Sequence, residues 1–140
     1  MNRTLAVDLG TERTGIAVGS FGVAHPLTVL HARDEEVIVA GIARIAKEQD
    51  AREIVFGLAR TLKGGEGPAA ERQRALAERV SRETGLPVHL WDERLTTKEA
   101  DASLLGAGLS REERRARVDM VAATLLLQNY FDSQRKVNGA

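Results

Sequence analysis

Cysteine is absent from this chain, which excludes disulfides and thiolate metal sites. Any metal must be held by oxygen ligands or by the three histidines. His25, His31 and His89 show no ligand spacing and are read as structural. Aromatic residues make up only 4% of the sequence, so the core must be built from Leu, Val, Ile and Ala, and a hydrophobic content of 43% is enough for one. No apolar stretch approaches the length of a membrane span, and Met1-Asn2-Arg3-Thr4 has no signal-peptide pattern. The expected location is the cytoplasm, with no membrane partner. Neither sign of charge is in excess, with 20 basic and 20 acidic residues. That argues against a polycation that coats nucleic acid, although a basic rim can still surround an acidic site. Sixteen of the basic residues are Arg, which makes bidentate phosphate contacts that Lys cannot. A GC-rich coding sequence would give the same bias. The 140 residues suit one domain spanning 1–140.

What is present is organised around the stretch from Ala6 to Gly19. An apolar run from Leu5 to Leu9 contains one carboxylate, Asp8. A glycine and a polar turn follow, then a second apolar run from Ile16 to Val18. This predicts a β-hairpin with Asp8 near the end of its first strand. An acid in a strand that looks buried on both faces is costly unless compensated, and a metal ion is the usual compensation. An Asp that only hydrogen-bonds its own turn is the plainer alternative.

Val23 to His31 predicts a third strand. Asp34-Glu35-Glu36 opens a helix with acids at its positive end, and Ile38, Ile42 and Ile45 give it a buried face. Glu53 to Gly57 reads as a central parallel strand. A loop with Gly64, Gly65 and Gly67 follows, holding Arg60 and Lys63 at the strand end where α/β sheets place ligand contacts. Pro68 to Thr84 predicts a helix that Gly85 ends. Its arginines read as a solvated face, partly paired with Glu71, Glu78 and Glu83. Pro87 to Glu93 is the next strand. Thr96 with Glu99, and Ser110 with Glu113, are capping-box spacings that open two further helices. The last carries the stripe Val118, Val121, Ala122, Leu125, Leu126, with a polar tail expected to fray after Asp132. The order βββ-α-β-α-β-α-α implies an α/β fold: a mixed sheet of antiparallel hairpin strands plus parallel strands, with helices on both faces.

Four acids are candidates for chemistry: Asp8, Asp92 and Glu93 at a strand end, and Asp119 at the border of the last helix's apolar face. Carboxylates from separate elements can hold two Mg²⁺ or Mn²⁺ ions roughly 3.5–4 Å apart for phosphodiester hydrolysis. Any one of these acids taken alone is more often structural than catalytic, because charge sits on surfaces.

Taken together these residues resemble the YqgF/RuvX family over nearly the whole chain. The resemblance rests on the turn from Ala6 to Ala17, on Val55-Phe56-Gly57-Leu58, and on Gly64-Gly65-Glu66-Gly67-Pro68. It rests further on Asp92-Glu93-Arg94-Leu95-Thr96-Thr97 and on Asp119-Met120-Val121-Ala122-Ala123. It implies an RNase H-like fold related to the RuvC Holliday junction resolvases. It also implies a nuclease that matures the 5′ end of precursor 16S rRNA or resolves branched DNA. Carried over by position, the catalytic, metal-binding acids are Asp8, Glu93 and Asp119. Asp92 is a possible fourth ligand, although strand alternation puts it opposite Glu93. Arg13, Arg60, Lys63, Arg94, Thr96 and Lys98 are the candidate nucleic-acid contacts, with an internal salt bridge the alternative for each Arg. Glu12 and Ala59-Arg60-Thr61 depart from the family's usual residues. Monomer and homodimer both remain open. Two other functional readings stand beside the nuclease. One is a nucleic-acid-binding factor in ribosome assembly or transcription, without catalysis. The other is an actin- or Hsp70-like nucleotide site using Asp8 and Thr11, which the length disfavours because such enzymes need two lobes.

Overall fold

A computed structural model describes residues 2–59, 65–93 and 110–137. Strands β1 (Arg3–Leu9), β2 (Arg13–Ser20) and β3 (Val23–His31) come first, then helix α1 (Glu35–Glu48), β4 (Ala51–Leu58), α2 (Pro68–Thr84), β5 (Val88–Asp92) and α3 (Arg111–Val137). The sheet order is β3-β2-β1-β4-β5. β1 pairs antiparallel with β2 and parallel with β4, and β4 pairs parallel with β5. The carboxyl ends of β1, β4 and β5 therefore share one edge of the sheet. The predicted mixed sheet is present, and the helix expected after Thr96 lies outside the described residues.

Local chemistry explains the elements. Phe21 and Gly22 both have positive φ, 54° and 79°, which matches the right-handed twist of a two-residue hairpin between β2 and β3. Pro26 sits on β3, an edge strand where a missing N–H is tolerated. Asp34 caps α1 by accepting from the Glu36 and Val37 N–H groups, and Gly85 ends α2 in the left-handed conformation.

The sheet separates two apolar layers. On one face Leu5, Val7, Ile16, Ile54 and Phe56 pack against Ile38 and Ile42 of α1 and Leu76 and Val80 of α2. On the other, Ala6, Ala17 and Val55 pack against Ala123, Leu126, Leu127 and Tyr130 of α3. Small side chains on the α3 face let that helix lie close to the sheet.

Three sequence expectations need correction. The buried face of α3 is Ala122, Ala123, Leu126, Leu127 and Tyr130, about one position later than the stripe from Val118 to Leu126. Asp119 continues this face one turn toward the N-terminus at helical spacing, on the side of Ala122, Ala123 and Leu126, and is partly buried. The helix also continues past Asp132 to Val137, and Asp132 accepts from Gln128 and Arg135 in its last turns. The α2 arginines do not pair within their own helix. Arg79 pairs with Glu35 and Glu36 of α1, Arg72 with Glu35, and Arg74 with Glu66.

Candidate active site

The site is built where β1 ends. Strand alternation places Asp8 on the face of Ala6, under α3. Its antiparallel partner on β2 is Gly15. A Cβ on Gly15 would stand 2.0 Å from the Asp119 carbonyl oxygen, so the absence of a side chain lets the α3 backbone descend beside Asp8. On the other flank, β1 and β4 pair as far as Val7–Phe56. The next residue on β4, Gly57, stands level with Asp8. A Cβ there would lie 2.3 Å from Glu93 Oε2. Two glycines thus flank Asp8, and each makes room for a different acid.

Glu93 follows β5 directly, its N–H donating to the Leu58 carbonyl at 3.3 Å. It shares the alternation of His89 and Trp91, whose rings meet Tyr130 of α3. Glu93 therefore faces Asp8. Asp92, paired with Leu58 on β4, takes the opposite face by the same alternation.

The electrostatics follow from this crowding. Asp8 is pushed up to about 7, first by burial, then by the Glu93 and Asp119 carboxylates and by a hydrogen bond shared with Glu93. Burial also raises Glu93, opposed by hydrogen bonds from Gln73 and Asp8. Burial raises Asp119, opposed by Arg13, whose Nε donates to Asp119 Oδ2 at 2.9 Å. Of the expected nucleic-acid contacts, Arg13 is thus engaged with an acid of the site, and Arg60, Lys63, Arg94, Thr96 and Lys98 lie outside the described residues. Among the described residues, no group of three Asp, Glu or His side chains is gathered closely enough to hold one ion. Asp8 and Glu93 meet, while Asp119 is held by Arg13.

Two residues that sequence reasoning passed over hold the site's frame. Gln73 of α2 is 3% exposed. Its Oε1 accepts from the Ala59 N–H at 2.7 Å, and its Nε2 donates to Glu93 Oε1 at 3.4 Å. Its signal was available: it is the polar member of the otherwise apolar face Ala70, Leu76, Ala77, Val80. Arg72 Nη1 donates to the Gly10 carbonyl at 2.9 Å, fixing the turn after β1.

The RuvX family, described as Holliday junction resolvase, matches residues 2–133. A protein of Moorella thermoacetica, provisionally named pre-16S rRNA nuclease, is 42% identical over 132 residues, covering 93% of this chain and 94% of its own. A protein of Myxococcus xanthus with the same name is 38% identical over 135 residues, covering 95% and 89%. The fold is that of Thermus thermophilus RuvC in complex with a Holliday junction substrate, with a TM-score of 0.64, 13% identity and 97% of both chains covered. Fowlpox virus resolvase in complex with Holliday junction DNA superposes with a TM-score of 0.59 at 10% identity, covering 94% of this chain and 98% of that one.

Proposed function

The chain belongs to the RuvX family, and from that premise we propose that it is a divalent-metal-dependent nuclease cutting phosphodiester bonds in structured nucleic acid. The observation that carries this reading is the meeting of Asp8 and Glu93 at one sheet edge, with Asp119 near enough to raise Asp8. The donor set suits a hard cation: every candidate ligand is a carboxylate oxygen, and all three are partly desolvated. Asp8, Glu93 and Asp119 are the proposed ligands, with Asp92 excluded by its face. When bound, divalent ions supply an activated water and charge stabilisation at the leaving oxygen.

The chain's own residues do the rest. Gln73 fixes the Glu93 carboxyl against the end of β4. Arg13 holds Asp119 in place and stands where its guanidinium could also meet a substrate phosphate. Arg60, Lys63, Arg94, Thr96 and Lys98 remain candidate phosphate contacts. The substrate is a folded precursor of 16S rRNA or a four-way DNA junction. A symmetric junction cut would take two copies of the chain, whereas RNA trimming needs one. No described helix is long and apolar enough to cross a membrane, which accords with work in the cytoplasm.

A second reading, binding without hydrolysis, draws on the Arg13–Asp119 pair, which keeps the third acid from joining the other two. The test is cleavage of both substrates with Mg²⁺ or Mn²⁺, with Asp8→Asn beside the wild type. Cutting that the variant loses supports the nuclease. Tight binding with no cutting by either protein selects the binding factor.

A further inference from the structure

Seven of the sixteen arginines are tied up in ion pairs among the described residues. Arg13, Arg33, Arg44, Arg72, Arg74, Arg79 and Arg135 all pair with carboxylates. Arg52, Arg82 and Arg117 also have no ion pair among the described residues, but the first turns of α3 gather three such arginines on one face. Arg111, Arg114 and Arg115 are exposed, and among the described residues none of their guanidinium groups has a carboxylate or hydrogen-bond partner. They recur at i, i+3 and i+4, and the same face continues through Val118 to Asp119 at i+7 and i+8, so they form one stripe leading to an acid of the site. The stripe is concave. Arg13, Arg111, Arg114, Arg115, Val118 and Asp119 line one cavity of about 390 Å³. At about 30 Å³ per water, that is room for roughly a dozen waters, enough for a sugar-phosphate unit.

The acids of the first turn do not neutralise the stripe. Glu112 lies about 100° round the helix and lines a separate hollow on the far side of Arg13, with Glu12, His31 and Arg33. In that hollow Glu12 and Arg33 already pair. Glu113 lies about 200° from Arg111, on the other side of the helix. Three unpaired guanidiniums over about 6 Å of helix axis repel one another, and they match the closely spaced charges of a nucleic-acid strand.

Resting on the nuclease reading of the neighbouring acids, we infer that Arg111, Arg114 and Arg115 form the track that grips the sugar-phosphate backbone and delivers it past Arg13 to Asp119. The partner chemistry is a polyanionic strand, held by bidentate phosphate contacts that carry no base sequence. The track sets affinity and position, while the acids act on the bond.

The test is the salt dependence of binding, measured by fluorescence anisotropy without divalent ions on a four-way DNA junction and on a folded RNA. The proteins are the wild type, Arg111→Gln/Arg114→Gln/Arg115→Gln, and the control Arg44→Gln/Arg52→Gln/Arg82→Gln, which removes the same charge away from the α3 face. The track variant should lose about 2 to 3 from the slope of log affinity against log salt on at least one substrate, and the control should keep the wild-type slope. An unchanged slope in the track variant, or an equal loss in the control, overturns the track. Cleavage with Mg²⁺ or Mn²⁺ separates this from the nuclease reading. If the wild type cuts and the track variant keeps its slope, the track falls and the nuclease stands. If the slope is lost but nothing is cut, the track stands and hydrolysis falls. If the wild type binds neither nucleic acid, both fall.

Discussion

At the scale of single residues, Asp8 is the acid pushed furthest from its ordinary value among the described residues. Its carboxyl titrates near 7 in the fold against 3.8 when unperturbed. An acid raised in this way contributes stability below its unfolded value and loses it as pH rises through the folded one. In the absence of divalent ions the wild type should weaken between about pH 4 and pH 8, and Asp8→Asn should escape that loss. Thermal melts of both proteins across this range should coincide near about pH 4 and diverge in the variant's favour by on the order of 3 kcal/mol above about pH 7. Parallel curves would mean that Asp8 is not buried among like charges. Asp8 was legible in the sequence because one polar residue interrupts an apolar strand. Gln73 was harder to see, since a glutamine within a helix rich in Arg and Glu looks solvated until the face it belongs to is known.

At the scale of elements, the two glycines beside Asp8 separate stability from chemistry. Gly15 meets backbone, the Asp119 carbonyl of α3, whereas Gly57 meets the movable end of the Glu93 side chain. Gly15→Ala must push a whole helix off the sheet, so a loss of about 1–3 kcal/mol in denaturant melts is expected, together with lost activity. Gly57→Ala needs only to displace a carboxylate. Its melt should stay within about 1 kcal/mol of the wild type, while cleavage falls by at least about tenfold. Equal destabilisation by both would show that Glu93 is as fixed as backbone. Strands and helices followed from period and caps, and Asp34, Pro68 and Gly85 mark their ends in the chain itself. The face of α3 did not, because Val118 and Leu125 satisfy a helical period as well as Ala123 and Leu127 do. The sheet selects the smaller residues, since Ala6 and Ala17 leave room for close approach. The pairing of the α2 arginines differs from the sequence expectation for a related reason: helical spacing offers partners in α2, whereas packing brings Glu35 and Glu36 of α1 nearer to Arg72 and Arg79.

At the scale of the whole molecule, neutrality conceals segregation. The formal charge is zero, yet the unpaired arginines at the start of α3 stand beside a trio of desolvated acids. Composition could state the sum but not this arrangement, which exists only once α3 is laid across β1 and β2. The same holds for Arg13, whose partner Asp119 lies 106 positions along the chain. The hydrogen bonds of Gln73 have a consequence of this long-range kind. They run from α2, in the layer opposite α3, round the sheet edge to Glu93. Filling the site with a divalent ion should therefore register on the far side of the sheet. Amide hydrogen exchange in the first half of α2 should slow when Mg²⁺ or Mn²⁺ is added, and Gln73→Leu should abolish that slowing while α1 exchanges alike in both proteins. If exchange in α2 ignores the ion in the wild type, the two layers are mechanically independent. If it responds, the two layers are coupled round the sheet edge by Gln73.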